Sequence, residues 1–151
     1  MEIRVAQSDD IAEVARVLSY LRMRTIAPDD IEDIYAQILD SPYSDLLIAK
    51  EGATVIAIAV LNLVLKIDRI ECRLDELIVD PQSRGKGIGT QLMNACEEWA
   101  WKRNCYKIEF TSRTERASSI ELYEKLGYEK RDSNIFTKYP SGTSYVKTKV
   151  I

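Results

Sequence analysis

Apolar positions recur along this chain at two periods, and the switches between them lay out its elements. Residues 2–6 alternate as a short strand. Ile11, Val14, Ala15, Leu18 and Leu21 then mark one helical face, with Ser8 as its cap and Asp9 and Asp10 in its first turn. Pro28 opens a second helix whose apolar face is Ile31, Ile34, Tyr35, Ile38 and Leu39, and Ser41-Pro42 ends it. Asp45–Lys50 and Ala53–Leu65 are β-rich and fold back at Glu51-Gly52 as a hairpin. Asp68 interrupts the pattern, and Ile70–Val79 resumes it. A helix over 88–103 carries Ile88, Leu92, Cys96 and Trp99 on one stripe. A strand over Tyr106–Phe110 follows, then a helix over 115–126 with Ile120, Tyr123 and Leu126 aligned and Gly127 as its stop. Further strands are expected near Glu129 and over Asn134–Tyr139.

The order βααβββαβαβ predicts an α+β fold, an α/β/α sandwich in which helices cover both faces of a mixed sheet. Ser141–Ile151 alternates polar and apolar residues after Pro140. That tail would add an edge strand, pair with a second copy as a homodimer, or hang as a loose terminus.

Composition narrows the classes. The chain has 151 residues, of which 46% are hydrophobic, so residues 1–151 suit one domain with an ordinary core. Its net charge is −3 and its acids and bases are interspersed, which argues against a nucleic-acid partner. No apolar run reaches the roughly 20 residues of a membrane span, and no signal peptide opens the chain, so a soluble, cytoplasmic protein is expected. Histidine is absent, which excludes Ser-His-Asp chemistry and the usual catalytic zinc sites. Cys72, Cys96 and Cys105 have no metal or redox spacing and read as buried thiols.

The densest chemistry lies in Val79-Asp80-Pro81-Gln82-Ser83-Arg84-Gly85-Lys86-Gly87-Ile88-Gly89-Thr90. An apolar strand enters a turn, glycines follow at alternate positions with Arg84 and Lys86 among them, and a helix starts. Glycine admits close approach, the first helical N–H groups have no partner, and the helix dipole favours an anion. The loop is not a Walker A motif, because Gly85-Lys86 is followed by Gly87 rather than Ser or Thr. It is not the dinucleotide fingerprint either, for want of a third glycine at the right spacing.

Arg84-x-x-Gly87-x-Gly89 after Val-Asp-Pro, followed by Leu122-Tyr123-Glu124-Lys125-Leu126-Gly127-Tyr128, resembles the GCN5-related N-acetyltransferase (GNAT) superfamily. The strong match spans residues 74–128, and the flanks agree in order and length. The resemblance implies a centrally splayed sheet and transfer of an acetyl group from acetyl-CoA to a primary amine of a small molecule or peptide. It assigns the diphosphate of coenzyme A to Arg84, Gly85, Lys86, Gly87, Ile88, Gly89 and Thr90. It assigns the pantetheine arm to the backbone of Leu77, Ile78 and Val79.

Tyr123 is then the candidate general acid, since a phenol of pKa near 10 is close enough to a thiol near 8.5 to donate usefully. Periodicity alone would make it a core residue. The candidate bases are Glu71, Asp75 and Glu76, each of which taken alone reads equally as a solvated charge. Strand alternation puts Glu71 and Asp75 on one face and Glu76 on the other, unless a bulge, common in the family, breaks the parity. Many members carry an acid in Leu-acid-x-Leu, which maps onto Asp75. Many also place Asn seven residues before the tyrosine, contacting the cofactor arm; here that position is Arg116, which, with Arg113, would face a coenzyme A phosphate or an acidic substrate group, or lie exposed. Arg22, Arg24 and Arg131 would hold an acceptor carboxylate or be solvated. With no activated nucleophile, the amine is expected to attack directly. The alternative is a module of the same fold that binds or senses acyl-CoA without turnover.

Overall fold

The computed structural model describes residues 1–112 and 117–142. Its elements are β1 (Glu2–Val5), α1 (Ile11–Arg22), α2 (Glu32–Asp40), β2 (Ser44–Glu51), β3 (Thr54–Leu65), β4 (Ile70–Val79), α3 (Ile88–Lys102), β5 (Ile108–Glu109) and α4 (Ala117–Lys125). The five strands form one sheet in the order β1-β2-β3-β4-β5. The first four are antiparallel, and β4 pairs with β5 in parallel.

β3 is apolar on both faces because helices cover both. Ala59 and Leu61 join Leu47, Ala49 and Leu74 beneath Ile88, Leu92, Met93, Cys96 and Trp99 of α3. Ile58 and Val60 join Leu46, Ile48 and Ile78 beneath Val14, Val17 and Leu18 of α1 and Tyr35 of α2. The α+β sandwich read from the sequence is the one observed. All three cysteines are buried, and burial pushes the thiols of Cys72 and Cys96 up to about 12, which makes them inert packing groups. Among the described residues, no helix is long and apolar enough to cross a membrane.

Three expectations change. Ser8 caps nothing; it starts a short 3₁₀ turn, and the Asp10 carboxylate accepts the Gln7 N–H instead, at 2.9 Å. No strand forms near Glu129 or over Asn134–Tyr139. A strand there needs a ladder to join, and β5 is only two residues long. Ile135 and Phe136 consequently stay exposed. The tail beyond Gly142, and Arg113 and Arg116, lie outside the described residues.

Asp10 ties β1 and β2 to α1. It is buried, and it accepts from Arg4 at 2.7 Å and from Lys50 at 3.0 Å. Burial alone would raise its carboxyl, but the bonds from Arg4, Gln7 and Lys50 outweigh that and hold it well below the usual range. A depressed carboxyl stabilises the fold above its unfolded pKa and loses that contribution as pH falls through the folded value. Asp10→Asn should therefore lower unfolding free energy by about 2–4 kcal/mol at pH 7. Urea melts should show the deficit narrowing progressively below about pH 4, as the wild-type carboxylate protonates.

Candidate active site

The glycine turn begins at a braced root. Asp80 ends β4 buried, its N–H donates to the Ile56 carbonyl at 2.8 Å, and its carboxylate accepts the Gln82 N–H at 3.0 Å. Arg16 of α1 reaches across to donate to Asp80 at 2.7 Å and to the Val55 carbonyl at 2.6 Å. Burial would raise the Asp80 carboxyl, yet Arg16 and the Gln82 N–H keep it below its ordinary value, so it stays ionised.

Past this root the chain turns through two left-handed glycines, Gly85 at φ +77° and Gly87 at φ +75°. Among the described residues, no atom beyond the chain neighbours lies within 4 Å of where a Cβ would stand on either, so the outer side of the turn is clear of them. Gly89 plays a different part: a Cβ there would touch Leu122 at 3.6 Å and Val79 at 3.8 Å, so it lets the first turn of α3 sit close to α4 and β4. The start of α3 has no side-chain cap and no acid in its first turn. The N–H groups of Ile88, Gly89 and Thr90 thus lack intrahelical acceptors, an arrangement that favours an anion. Arg84 curls back to donate to the Val79 carbonyl at 3.3 Å, and Lys86 is exposed.

β4 and β5 part early. Their pairing ends at Arg73↔Glu109, so Leu74–Val79 has no strand neighbour on that side among the described residues. A cavity of about 740 Å³ occupies the opening. Leu74, Asp75, Glu76 and Leu77 form one wall, and Phe110, Thr111, Ser112 and Tyr123 the other. Arg22 of α1 and Ile34 of α2 also line it.

A bulge decides which acids reach this cavity. Between the pairs Ile58↔Ile78 and Val60↔Asp75, β3 has one residue where β4 has Glu76 and Leu77. Glu76 takes the left-handed conformation at φ +54°, a strained choice for a residue with a Cβ. Beyond it the alternation resets, with Cys72 and Leu74 before the bulge and Leu77 and Val79 after it packing on the α3 side. Asp75 and Glu76 therefore both line the cavity, against the strict alternation of an unbroken strand. Asp75 accepts from the Asn62 amide at 3.0 Å. Glu76 is bound by the Arg22 guanidinium. Glu71 is not in the cavity: it is buried between Arg69 at 2.8 Å and Lys107 at 3.8 Å.

Tyr123 sits edge-on to Phe110, with ring centroids 4.6 Å apart, and Phe110 in turn packs edge-on to Tyr128 at 5.1 Å. It is thus both a packed aromatic residue and a cavity residue. Ile78 is buried against the α1 side, and Val79 is partly buried against the α3 side, so only Leu77 of the three expected arm-binding residues lines the cavity itself. Asn62, Phe110 and Arg16 escaped sequence reading, and Arg22, expected to hold an acceptor carboxylate or be solvated, instead pairs with Glu76. Asn62 left a signal, as the lone polar residue within Val55–Leu65.

Comparison with known proteins bears on this arrangement. The family model of the acetyltransferase (GNAT) family matches residues 14–128, most of the chain. The chain belongs to that family. Among GNAT relatives, an acetyltransferase of Sodalis glossinidius is 31% identical over 133 residues, covering 88% of this chain and 90% of that protein. An uncharacterized N-acetyltransferase of Methanocaldococcus jannaschii is 38% identical over 72 residues, which is 47% of this chain but only 32% of that protein. A solved structure, a putative acetyltransferase from Agrobacterium tumefaciens, superposes with a TM-score of 0.85 at 19% identity, covering 92% of this chain and all of its own. The last likeness establishes a shared fold.

Proposed function

We propose that residues 1–151 act as one cytoplasmic domain that transfers an acetyl group from acetyl-CoA to a primary amine of a small molecule or peptide, by direct attack of the amine. The observation that carries this reading is the convergence of Tyr123, Asp75 and Glu76 on one cavity that lies beside the unpaired end of β4, one strand end from the open glycine turn.

The residues present fit coenzyme A. The uncapped N–H groups of Ile88, Gly89 and Thr90, the open backbone of Gly85 and Gly87, and the charges of Arg84 and Lys86 would hold its diphosphate. The free edge of β4 at Leu77, Ile78 and Val79 offers backbone partners to its arm. Bound there, acetyl-CoA supplies the acyl thioester. Asp75 takes the proton of the attacking amine. It suits this better than Glu76, whose carboxylate is already occupied by the Arg22 guanidinium, whereas Asp75 accepts from the Asn62 amide. Tyr123 gives its phenolic proton to the departing sulfur. Arg22 holds Glu76, and with it the bulge that turns both acids to one side.

Gly87 gives a test of the turn. Gly87→Ala places a Cβ in open space at positive φ, so stability should fall by only about 1–2 kcal/mol. The KM for acetyl-CoA should rise about tenfold or more, since the methyl group stands where the diphosphate must approach. Steady-state kinetics with thermal melts on the same samples separate the two effects.

The reading as a whole is tested by thiol release from acetyl-CoA across an amine panel. Amine-dependent release is expected. Tight coenzyme A binding with no release from any amine would replace it with the non-catalytic binding or sensor module.

A further inference from the structure

A second cavity, of about 240 Å³, lies beside the first between the two helices and the sheet. Arg22, Ile34, Ile38, Val60 and Glu76 line both, so the two cavities adjoin, with Glu76 in their shared wall. The inner surface is apolar, built from Leu18 of α1, Ile58 and Val60 of β3 and Ile31 just before α2. A cavity of about 150 Å³ lined in this way already takes a benzene-sized group. The space is therefore large enough for an isobutyl or phenyl group.

The charged residues around it are not equivalent. Arg22 is committed to Glu76. Asp30 accepts the Ala27 N–H at 2.9 Å. Arg24 lines the same cavity, is exposed, and has no ion pair among the described residues. The site thus offers three different things to an acceptor: an apolar recess, an unspent cation, and the carboxylates of Asp75 and Glu76 at the junction with the catalytic opening. An ammonium group suits the carboxylates, an anion suits Arg24, and an aliphatic or aromatic group suits the recess.

We propose that the acceptor is a free α-amino acid with a branched or aromatic apolar side chain. Its side chain fills the 240 Å³ recess, its carboxylate lies at Arg24, and its α-amine is presented to Asp75. The inference rests on the acetyltransferase reading above. Transfer forms the N–C bond to the acetyl carbon and breaks the C–S bond; the ammonium gives one proton to Asp75, Tyr123 protonates the departing sulfur, and the nitrogen's second proton returns to the Tyr123 phenolate.

The test compares L-leucine, L-phenylalanine, glycine, L-leucinamide, leucyl-glycine and putrescine as acceptors by kcat/KM. Leucine or phenylalanine should exceed glycine by about thirtyfold or more, the discrimination a filled apolar pocket supplies over an empty one. Leucinamide and leucyl-glycine, which lack the α-carboxylate beside the amine, should fall about tenfold or more below leucine. Arg24→Ala should bring leucine down to the level of leucinamide, and Arg24→Lys should keep part of the difference. Glycine or putrescine matching leucine overturns the proposal, as does leucinamide or the dipeptide matching leucine, while leaving acetyl transfer itself intact. Calorimetry with N-acetyl-L-leucine and N-acetylglycine reads the same selectivity without turnover. Tighter binding of the leucine product, weakened by Arg24→Ala, supports the assignment even if no acceptor releases thiol, in which case only the catalytic reading fails. Equal binding of the two products overturns the assignment.

Discussion

Tyr123→Phe is expected to lower kcat about 10²- to 10³-fold at pH 7, with little change in the KM for acetyl-CoA. The substitution removes one oxygen and keeps the ring, so the edge-on contact with Phe110 at 4.6 Å survives and stability should fall by no more than about 1–2 kcal/mol, the scale of one lost hydrogen bond. The sign of the pH dependence follows from the leaving group. Below about pH 8.5 a departing thiolate must be protonated, and the lost phenol is felt in full. Above that, the thiolate is stable in water, and the variant should regain part of the gap. A deficit that stays constant across pH 6–10, or a matching fall in stability, would reassign Tyr123 to packing alone.

Asp75→Asn should cost about 10²-fold or more in kcat/KM at pH 7. An alkylamine of pKa near 10.4 needs about 4–5 kcal/mol to lose its proton at that pH, and a carboxylate at the site of attack is what makes the transfer cheap. Asparagine keeps the size of the side chain but cannot take a proton. Activity of the variant should climb toward that of wild type as pH rises and the acceptor deprotonates in bulk. Glu71→Gln is the control. That residue is buried between Arg69 and Lys107, away from the cavity, and its substitution should leave kcat/KM within about twofold. A larger loss from Glu71→Gln than from Asp75→Asn would move the base elsewhere.

Much of the fold was legible because its signals are local. The apolar run Val55–Leu61 announced a strand covered on both faces, and the alternate apolar pairs Leu46, Ile48 and Leu47, Ala49 of β2 went to opposite cores as period 2 requires. The glycine turn was legible for the same reason, since positive φ at Gly85 and Gly87 is a property of those residues alone. The acids of β4 were not. Their placement depends on one extra residue at Glu76, and nothing in Leu74-Asp75-Glu76-Leu77 marks a bulge; it is fixed by how β3 and β4 register across the sheet. The strands anticipated after α4 failed on a similar point: Ile135, Phe136 and Tyr139 have strand propensity, but propensity does not supply a neighbouring ladder. Ion pairs such as Arg16–Asp80, 64 residues apart, and Arg22–Glu76, 54 apart, are long-range facts that no window of sequence contains.

The most direct measurement is titration calorimetry of the purified protein with coenzyme A and, separately, with pantetheine, which has the arm but no diphosphate. If the turn at Gly85–Gly89 grips the phosphates and the open end of β4 takes the arm, coenzyme A binds with saturable heat, far more tightly than pantetheine, and Gly87→Ala weakens the first much more than the second. No heat with coenzyme A, or equal affinity for the two, contradicts it.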